Sequence, residues 1–305
     1  MDDEGRVASA ARPSRAASTF VVGAPYIFVL LWSTGFVVAH YGTEDAGPLT
    51  FLAVRLAIAA AALATYATLT KAPSIGRTAV GWAAVSGLGM HAVYLGGVFL
   101  AISWGMPSGV SALIAGLHPV LTILVARWLL GERLVKLQWI GVALGFTGVV
   151  VVVVDHMSDR AGDISTGALI AAGVSVVGMS AGTLVQRRHG TGMPLLRGTV
   201  VQYTASATVL FVGAVFHEHL DFTVTQRSMF ALLWAVVVLS IAAVLIMLWL
   251  LQRHAAAKVS SLFFLTPALS TLEGAILFGE RLGPLAILGL VIALVGVSLT
   301  LRARR

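Results

Sequence analysis

The sequence predicts an all-α integral membrane protein in which ten transmembrane helices form two inverted five-helix repeats. Three observations support this prediction: an apolar composition, ten apolar stretches of membrane-spanning length, and an internal repeat at a separation of 147 to 149 residues. Of the 305 residues, 58% are hydrophobic and only 11% are charged, whereas a soluble domain carries about a quarter charged residues. The expected class is therefore membrane-embedded.

The ten apolar stretches are each long enough to cross a bilayer core, which takes about 20 helical residues. They are residues 20–39, 49–70, 79–102, 107–129, 135–154, 164–186, 197–216, 228–251, 257–278 and 283–301. The connections between them are short, so that no room remains for a soluble catalytic domain. Residues 1–18 lack apolar periodicity and are expected to form a disordered cytoplasmic tail.

The distribution of lysine and arginine predicts the orientation of the spans. Sixteen of the 20 basic residues fall on one face of the predicted bundle, and Arg160, Arg227 and Arg281 fall on the other. The remaining one, Arg55, lies inside a span. The basic face, which carries both termini, is expected to be cytoplasmic. The bilayer thus accounts for the net charge of +7, and nucleic acid is not expected as a partner.

The internal repeat relates residues 110–149 to residues 259–297. Each segment contains a Val-Ser-x-Leu sequence, then a proline, then Gly-Glu-Arg-Leu beginning twelve residues after that proline. A weaker match relates Ser33 to Ser180. Each copy holds five predicted helices, and since five is odd, the second copy enters the membrane from the opposite side. Inverted repeats are common in secondary transporters, whose substrate site lies between the halves.

These features resemble the EamA-type bacterial members of the drug/metabolite transporter superfamily. The resemblance covers two units, at about residues 24–154 and 166–301, and its most specific element is the proline followed by Gly-Glu-Arg-Leu in both units. It implies a ten-helix secondary carrier, often an exporter of amino acids or related metabolites.

The first helices carry further elements of this resemblance. Trp32 and Ser33 in the first stretch, and the Phe51-x-x-x-Arg55 sequence in the second, are similar to the family's first unit. The second unit departs from this pattern, because Gln202 stands where the equivalent of Arg55 would fall.

Ionisable side chains within a span are costly, at least about 2.5–3.5 kcal/mol at mid-membrane. Arg55 is interpreted as an anchor for a substrate carboxylate, a gate that pairs with an acid, a snorkelling side chain or a structural ion pair. Glu273, where the first copy has Val125, could bind a coupling proton or cation, attract an ammonium group, or reach the membrane interface. An ion pair between Arg55 and Glu273 is a further alternative.

Polar and aromatic residues in other spans are further candidates for substrate binding or coupling. His91 and Tyr94 are three residues apart, and a shared helical face would line a cavity or pack helices together. His118, which precedes Pro119, is expected to face the central cavity; Pro119 and Pro267 are expected to kink their helices. The remaining candidates are Trp32, Ser33, Gln202 and Tyr203.

Other conspicuous residues are expected to be structural. The two turn motifs place an acid where it would favour the N-terminal dipole of the next helix; their members are Gly131, Glu132, Arg133, Gly279, Glu280 and Arg281. The faces Gly141-x-x-x-Gly145 and Gly289-x-x-x-Ala293 suit close packing between the copies or a homodimer interface.

The sequence also limits the energy source and the chemistry. No phosphate-binding loop is present, there is no cysteine, and no compact cluster of metal ligands stands out. We therefore expect no cofactor, no metal and no enzyme activity, and transport that is not driven by ATP. The prediction is a secondary transporter, an exporter of small organic metabolites such as amino acids, working by alternating access in a bacterial inner membrane. A proton or cation is the candidate coupling partner. The alternatives are a membrane-embedded lipid-modifying enzyme and a flippase for lipid-linked substrates.

Overall fold

The computed structural model describes residues 15–130, 135–158, 164–253, 265–280 and 283–302. Within these ranges every regular element is a helix, apart from one isolated antiparallel bridge between Ala46 and Phe222. Seven of the described helices have the length and apolar composition needed to cross a bilayer, and two shorter apolar helices accompany them. The chain is thus all-helical where it is described, as the sequence predicts.

Six helices lie between residues 15 and 158. They are α1 (Arg15–Glu44), α2 (Pro48–Leu69), α3 (Arg77–Gly87, then a π-helical segment Leu88–Val93, then Tyr94–Ser103), α4 (Ser108–Ala115), α5 (His118–Leu130) and α6 (Lys136–Ser158). Pro48 occupies the first turn of α2, where its missing N–H costs no intrahelical hydrogen bond.

Five helices follow within the described residues after 163. They are α7 (Thr166–His189), α8 (Leu195–His217), α9 (Gln226–Trp234, then a π-helical segment Ala235–Ala243, then Val244–Arg253), α10 (Thr266–Phe278) and α11 (Pro284–Arg302). Gly279 ends α10 with a left-handed backbone, φ 66°, which a glycine adopts without steric cost.

Corresponding helices of these two groups begin at a nearly constant separation. α2 and α8 begin 147 residues apart, and so do the π-helical segments of α3 and α9. α6 and α11 begin 148 residues apart. These separations equal those of the repeated sequence motifs, so equivalent sequence positions occupy equivalent positions in the helices.

The first helix begins earlier than the sequence analysis expects. Residues 1–18 are predicted to be disordered, yet α1 already begins at Arg15. Ala16 and Ala17 have the highest helix propensity of any residue type, so that the helix extends easily beyond its apolar part. The rest of the predicted tail, residues 1–14, lies outside the described residues.

The fourth predicted span, residues 107–129, is two helices and not one. α4 ends at Ala115 and α5 begins at His118, with a turn between them. Pro119 lies in the first turn of α5, where its ring meets no carbonyl of a preceding turn. Pro267 likewise lies in the first turn of α10. The helix is interrupted directly before Pro119, and residues 254–264 before Pro267 lie outside the described residues, so the kinks expected at the two prolines remain predictions.

α6 and α11 approach each other through small residues. A Cβ atom added to Gly148 would lie 2.7 Å from the Ala293 Cβ, and one added to Gly296 would lie 2.6 Å from the Gly141 carbonyl oxygen. A side chain does not fit at these distances, so the close approach requires glycine. The small-residue faces of these two helices thus pack against each other within one chain.

Large apolar side chains cover much of the outside of the bundle. Exposed examples from five of the long helices are Ile58, Val150, Ile170, Phe211, Phe230 and Leu233. A soluble protein does not expose so much apolar surface, whereas lipid chains solvate it. The apolar exterior and the long apolar helices both indicate that the bundle is embedded in a membrane.

Candidate functional site

Arg55 lies in α2 with only 7% of its surface exposed. Its Nε donates a hydrogen bond to the Ser240 hydroxyl at 3.0 Å, and Ser240 belongs to the π-helical segment of α9. The Tyr203 hydroxyl, from α8, donates to the carbonyl oxygen of Ser240 at 3.3 Å. Ser240 therefore connects α2, α8 and α9 at one buried point.

The terminal nitrogens of Arg55, Nη1 and Nη2, have no described partner of the kind that Ser240 provides for Nε. Among the described residues, neither Nη1 nor Nη2 makes a hydrogen bond, and no carboxylate lies within ion-pair distance. The phenols of Tyr94 and Tyr203 are close enough to act on the charge electrostatically. Burial excludes the snorkelling interpretation, and the described residues provide no structural ion pair. A buried charge without a counter-ion is costly, which points to a role in binding.

His91 and Gln202 continue the polar contacts away from Arg55. His91 Nε2 lies 3.4 Å from the Gln202 side-chain oxygen, and the Gln202 amide donates to the Gln186 side-chain oxygen at 3.0 Å. The His91 and Tyr203 rings meet edge to face, with centroids 4.8 Å apart. We call this group of side chains, which come from α2, α3, α8 and α9, the Arg55 cluster. Its members are Arg55, His91, Tyr94, Gln202, Tyr203 and Ser240. The sequence analysis names five of these six residues, and the structure brings them together.

Both π-helical segments contribute to the Arg55 cluster. His91 lies in the segment Leu88–Val93 of α3, and Ser240 lies in the segment Ala235–Ala243 of α9. A π-helical segment widens the turn and leaves carbonyl groups less well paired than an α-helix does, and such segments are frequent at functional sites. Two of them, 147 residues apart, thus flank one buried arginine.

Glu273 belongs to a second polar group, between α1 and α10. The Ser33 hydroxyl donates to Glu273 Oε1 at 2.6 Å, and the Ser270 hydroxyl donates to the Ser33 carbonyl oxygen at 3.1 Å. Glu273 Oε2 is buried without a hydrogen-bond partner among the described residues. Within the described residues, Glu273 forms no ion pair with Arg55.

Two other candidates lie apart from the Arg55 cluster. His118 Nδ1 lies 3.0 Å from the Ala115 carbonyl oxygen, and the Ser180 hydroxyl of α7 donates to the His118 carbonyl oxygen at 3.0 Å. These contacts fix the turn between α4 and α5. Trp32 packs against Phe28, with ring centroids 5.5 Å apart, in an apolar cluster of α1, α9 and α10.

Glu280 caps a helix other than the expected one. Its carboxylate accepts from the backbone N–H of Ser108 at 2.8 Å and from that of Gly109 at 3.3 Å. It therefore stabilises the N-terminus of α4, whereas the sequence analysis assigns it to α11. The reason is tertiary: the end of α10 lies beside the start of α4, and the N–H groups at that start, which have no acceptor within the helix, attract the carboxylate.

The same arrangement recurs at two further helix starts, and at a third start the acids contact side chains. Glu218, just after α8, accepts from the backbone N–H groups of Leu49 and Thr50 at 2.9 and 2.8 Å. Asp155, in α6, accepts from the N–H of Ala286 in α11 at 3.1 Å. At the start of α9, the Thr225 hydroxyl donates to Asp45 at 2.6 Å, and Arg227 pairs with Glu44. We call this end of the bundle the capped face; its carboxylates are Glu44, Asp45, Asp155, Glu218 and Glu280.

An open depression of about 650 Å³ lies on the capped face, lined by Asp45, Thr225, Gln226, Arg227 and Phe230. Its polar residues already pair with acids of the same face, and it is far more open than an enclosed binding site. We therefore place the candidate substrate site at the Arg55 cluster, whose charge lacks a partner.

Two residues of the polar contacts are not predicted from the sequence, and four predicted turn residues lie outside the described residues. Ser240 and Gln186 are missed, although a single serine inside the apolar run 235–250 is a usable signal. Among the described residues, no group of three or more histidine or acidic side chains could hold a metal ion. The turn residues Gly131, Glu132, Arg133 and Arg281 lie outside the described residues.

The comparison with known families agrees with this architecture. The EamA-like transporter family matches the chain twice, at residues 21–154 and 166–302. The chain belongs to the EamA-like transporter family. The resemblance found in the sequence is therefore confirmed.

Individual relatives are named as transporters, and a solved structure shares the fold. The chain is 25% identical to the "Uncharacterized inner membrane transporter YedA" of Escherichia coli K12 over 282 residues, covering 91% of this chain and 89% of the relative. It is 24% identical to a "Probable amino-acid metabolite efflux pump" of the same organism over 281 residues, covering 89% and 91%. A protein solved by crystallography shares the fold, with TM-score 0.63 and 22% identity over 96% of this chain and 99% of the other. The chain is thus a multi-pass inner-membrane transporter, which implies a small-molecule substrate and a lipid surrounding.

Proposed function

We propose that this protein is a secondary transporter that exports small organic metabolites such as amino acids by alternating access, without ATP. The observation that carries the proposal is the Arg55 cluster: a buried, unpaired cation between two π-helical segments in the middle of an apolar bundle. In transporters built from inverted repeats, substrate sites lie near the bilayer midplane where helices are irregular. The direction, export, is suggested by the efflux pump named among the relatives.

The ten-span, two-repeat architecture is part of this proposal. It is supported by the repeated helix starts at 147 and 148 residues and by the two matches of the family at 21–154 and 166–302. In this arrangement α4 and α5 share the fourth span, and α10 belongs to the ninth. Both termini lie on the basic face, opposite the capped face.

We place the motion that alternating access requires at the capped face. Each carboxylate cap described above joins a residue before 159 to a residue after 163, so that every cap links the two proposed halves. The bridge between Ala46 and Phe222 does the same. The capped face is therefore closed in this conformation, and opening the substrate site toward it requires separation of these contacts.

A disulfide across the capped face tests this motion. Residues in an antiparallel bridge have Cα atoms about 4.5–5.5 Å apart, within the range of a disulfide, and the chain contains no other cysteine. We expect the pair Ala46→Cys and Phe222→Cys to lose transport on oxidation and to regain it on reduction, while each single substitution is unaffected. Full transport by the oxidised pair would exclude movement at this face.

Glu273 is the proposed coupling residue. Its Oε1 is held by Ser33, whereas its buried Oε2 has no described partner, and this free oxygen is available for a proton or a small cation. The first copy has Val125 at the equivalent position, so the shared fold does not require a carboxylate there.

Flux measurements in proteoliposomes test the proposed function directly. The purified protein is reconstituted, and efflux and uptake of a labelled panel of amino acids and related metabolites are followed with and without a pH gradient. Saturable flux that responds to the gradient supports an ion-coupled carrier. Saturable flux that ignores the gradient supports facilitated transport and removes the coupling role of Glu273. Folded protein that moves no member of the panel, but scrambles lipid-linked sugars or modifies lipids, would replace the proposal by the flippase or the lipid enzyme.

A further inference from the structure

The Arg55 cluster contains a hydrogen-bonding surface that the protein itself does not use. Ser240 occupies Nε of Arg55 at 3.0 Å, which leaves the edge formed by Nη1 and Nη2 without a hydrogen bond to any described residue. The two N–H groups of this edge are parallel and coplanar, and they match the two oxygens of a carboxylate. Because Ser240 itself lies on a helix held by Tyr203, the direction of the free edge is fixed.

We propose that the Nη1–Nη2 edge of Arg55 binds the carboxylate of the transported molecule, and that this contact defines the substrate class. The inference rests on the proposed function and narrows its substrates to compounds that carry a carboxylate. Ser240 is the positioning residue, because its hydroxyl accepts the hydrogen bond from Arg55 Nε.

The charge of the site favours a carboxylate over a phosphate ester. Arg55 is the one lysine or arginine more than two residues from the end of a predicted span, and it supplies a single positive charge. A carboxylate carries one negative charge, whereas a phosphate monoester carries nearly two at neutral pH and normally requires several basic groups. Gln202 and His91 add hydrogen-bonding groups to the cluster, and neither side chain is permanently charged.

The carboxylate is also consistent with the internal asymmetry of the chain. Gln202 stands in the second half at the position equivalent to Arg55, and it contacts the same cluster through His91. One half thus contributes the cation and the other a neutral amide, so that an asymmetric substrate is held in one orientation. This asymmetry is expected for a molecule with one charged end and one neutral or apolar body.

Matched acid and amide probes test the inference without knowledge of the natural substrate. The probes are L-leucine and L-leucinamide, L-phenylalanine and L-phenylalaninamide, and L-threonine and L-threoninamide, which differ only in the carboxylate. Binding is measured as ligand-induced thermal stabilisation of the full-length protein in detergent. Flux of each probe is measured in parallel in proteoliposomes. We expect at least one acid to bind roughly 10- to 100-fold more tightly than its amide, the effect of one charge-assisted contact.

Variants of Arg55 assign the preference to its guanidinium. Arg55→Gln should bind acid and amide equally, and Arg55→Lys, which keeps the charge but loses the paired N–H groups, should retain only part of the preference. Arg227→Gln, on the capped face, is the matched control and should keep it. Even if both Arg55 variants fail to fold, the comparison of acid and amide on the unmodified protein still tests whether the site prefers a carboxylate.

The outcomes separate this inference from the proposed function. If the acids and their amides bind and move equally well, or if no acid of the panel binds, the carboxylate site is overturned. If Arg55→Gln keeps the full preference, the carboxylate is bound elsewhere and the inference is wrong. A preference for acids in the binding measurement supports the inference even where flux is absent, in which case only the proposed transport function fails.

Discussion

The capped face and the Arg55 cluster use the same kinds of charged side chain in opposite ways. At the capped face, Glu218 and Glu280 each accept at least two hydrogen bonds from helix starts, and Arg227 pairs with Glu44. In the Arg55 cluster, the guanidinium has one hydrogen bond, and its end remains unpaired among the described residues. The charged side chains of the capped face hold helices together, whereas the guanidinium of the Arg55 cluster remains available to a ligand.

The difference teaches how structural and functional charges are distinguished in this bundle. Carboxylates at the membrane boundary cap helix ends cheaply, because water still solvates them in part. A buried arginine costs several kcal/mol unless it is paired, and a fold that retains it unpaired must gain from it in another state. In the carboxylate site that we propose, this pairing is completed when the substrate is bound.

Adding a carboxylate to the Arg55 cluster should have the largest effect. Ser240→Asp places an acid beside the guanidinium and turns the cluster into a satisfied ion pair like those of the capped face. We expect transport of the best substrate of the flux panel to fall by roughly 100-fold, because the internal carboxylate replaces that of the substrate. Ser240→Asn, which adds similar volume without charge, is the control. Equal transport by the two variants would show that the free guanidinium is not needed.

Removing the free carboxylate of the second polar group should alter coupling and leave the site itself intact. Glu273→Gln keeps the shape of the side chain and a contact to Ser33 but cannot bind a proton at neutral pH. We expect flux to become independent of the pH gradient, while exchange of substrate across the membrane continues. The same substitution at the capped face, Glu280→Gln, should keep the gradient response. A response that persists in Glu273→Gln would assign coupling to another group.

Loss of the Ser240 hydroxyl should produce a smaller change in affinity. In Ser240→Ala, Arg55 Nε loses its acceptor and the guanidinium is free to rotate away from the substrate. One neutral-to-charged hydrogen bond corresponds to about 1.5 kcal/mol, or roughly a tenfold rise in KM, with little change in kcat. Ser240→Thr should restore the KM, since it retains the hydroxyl. If the threonine variant is as impaired as the alanine variant, packing and not the hydrogen bond is responsible.

The smallest effect on transport is expected at the capped face. Glu218→Ala removes the acceptor for the backbone N–H groups of Leu49 and Thr50, and loss of such a cap lowers the free energy of unfolding by about 1 kcal/mol. We expect lower thermal stability in detergent with an unchanged KM. Thr50→Val, which removes only the hydroxyl contact to Glu218, should have a weaker effect. A raised KM in Glu218→Ala would contradict the separation between the two regions.

The sequence predicted most of the candidate site as separate residues but not as a site. Arg55, His91, Tyr94, Gln202 and Tyr203 are all flagged by one argument, that polar side chains inside apolar spans require a reason. Their proximity follows from how α2, α3, α8 and α9 are rotated about their own axes, and a single sequence does not reveal this. Ser240 was missed because a lone serine is easily tolerated in a membrane helix.

Elements with irregular backbone were also beyond the sequence. The π-helical segments of α3 and α9 contain no proline, and the turn between α4 and α5 was expected to be only a kink. Such irregularities depend on whether side chains supply partners for the freed backbone groups, as His118 Nδ1 does at 3.0 Å for the carbonyl of Ala115, which Pro119 leaves without an N–H donor. Local propensity contains no information about those partners.

The sequence by itself determined the membrane class, the positions of most helices, the repeat and the family. It could do so because the bilayer imposes a local requirement, about 20 apolar residues for each span, and because a repeat is visible in the letters alone. Only the tertiary structure decided that Glu280 caps α4 and not α11, and that Arg55 has Ser240 and no acid beside it. These contacts join residues 172 and 185 positions apart in the chain, and helix packing, not sequence neighbourhood, selects the partner of a buried polar atom.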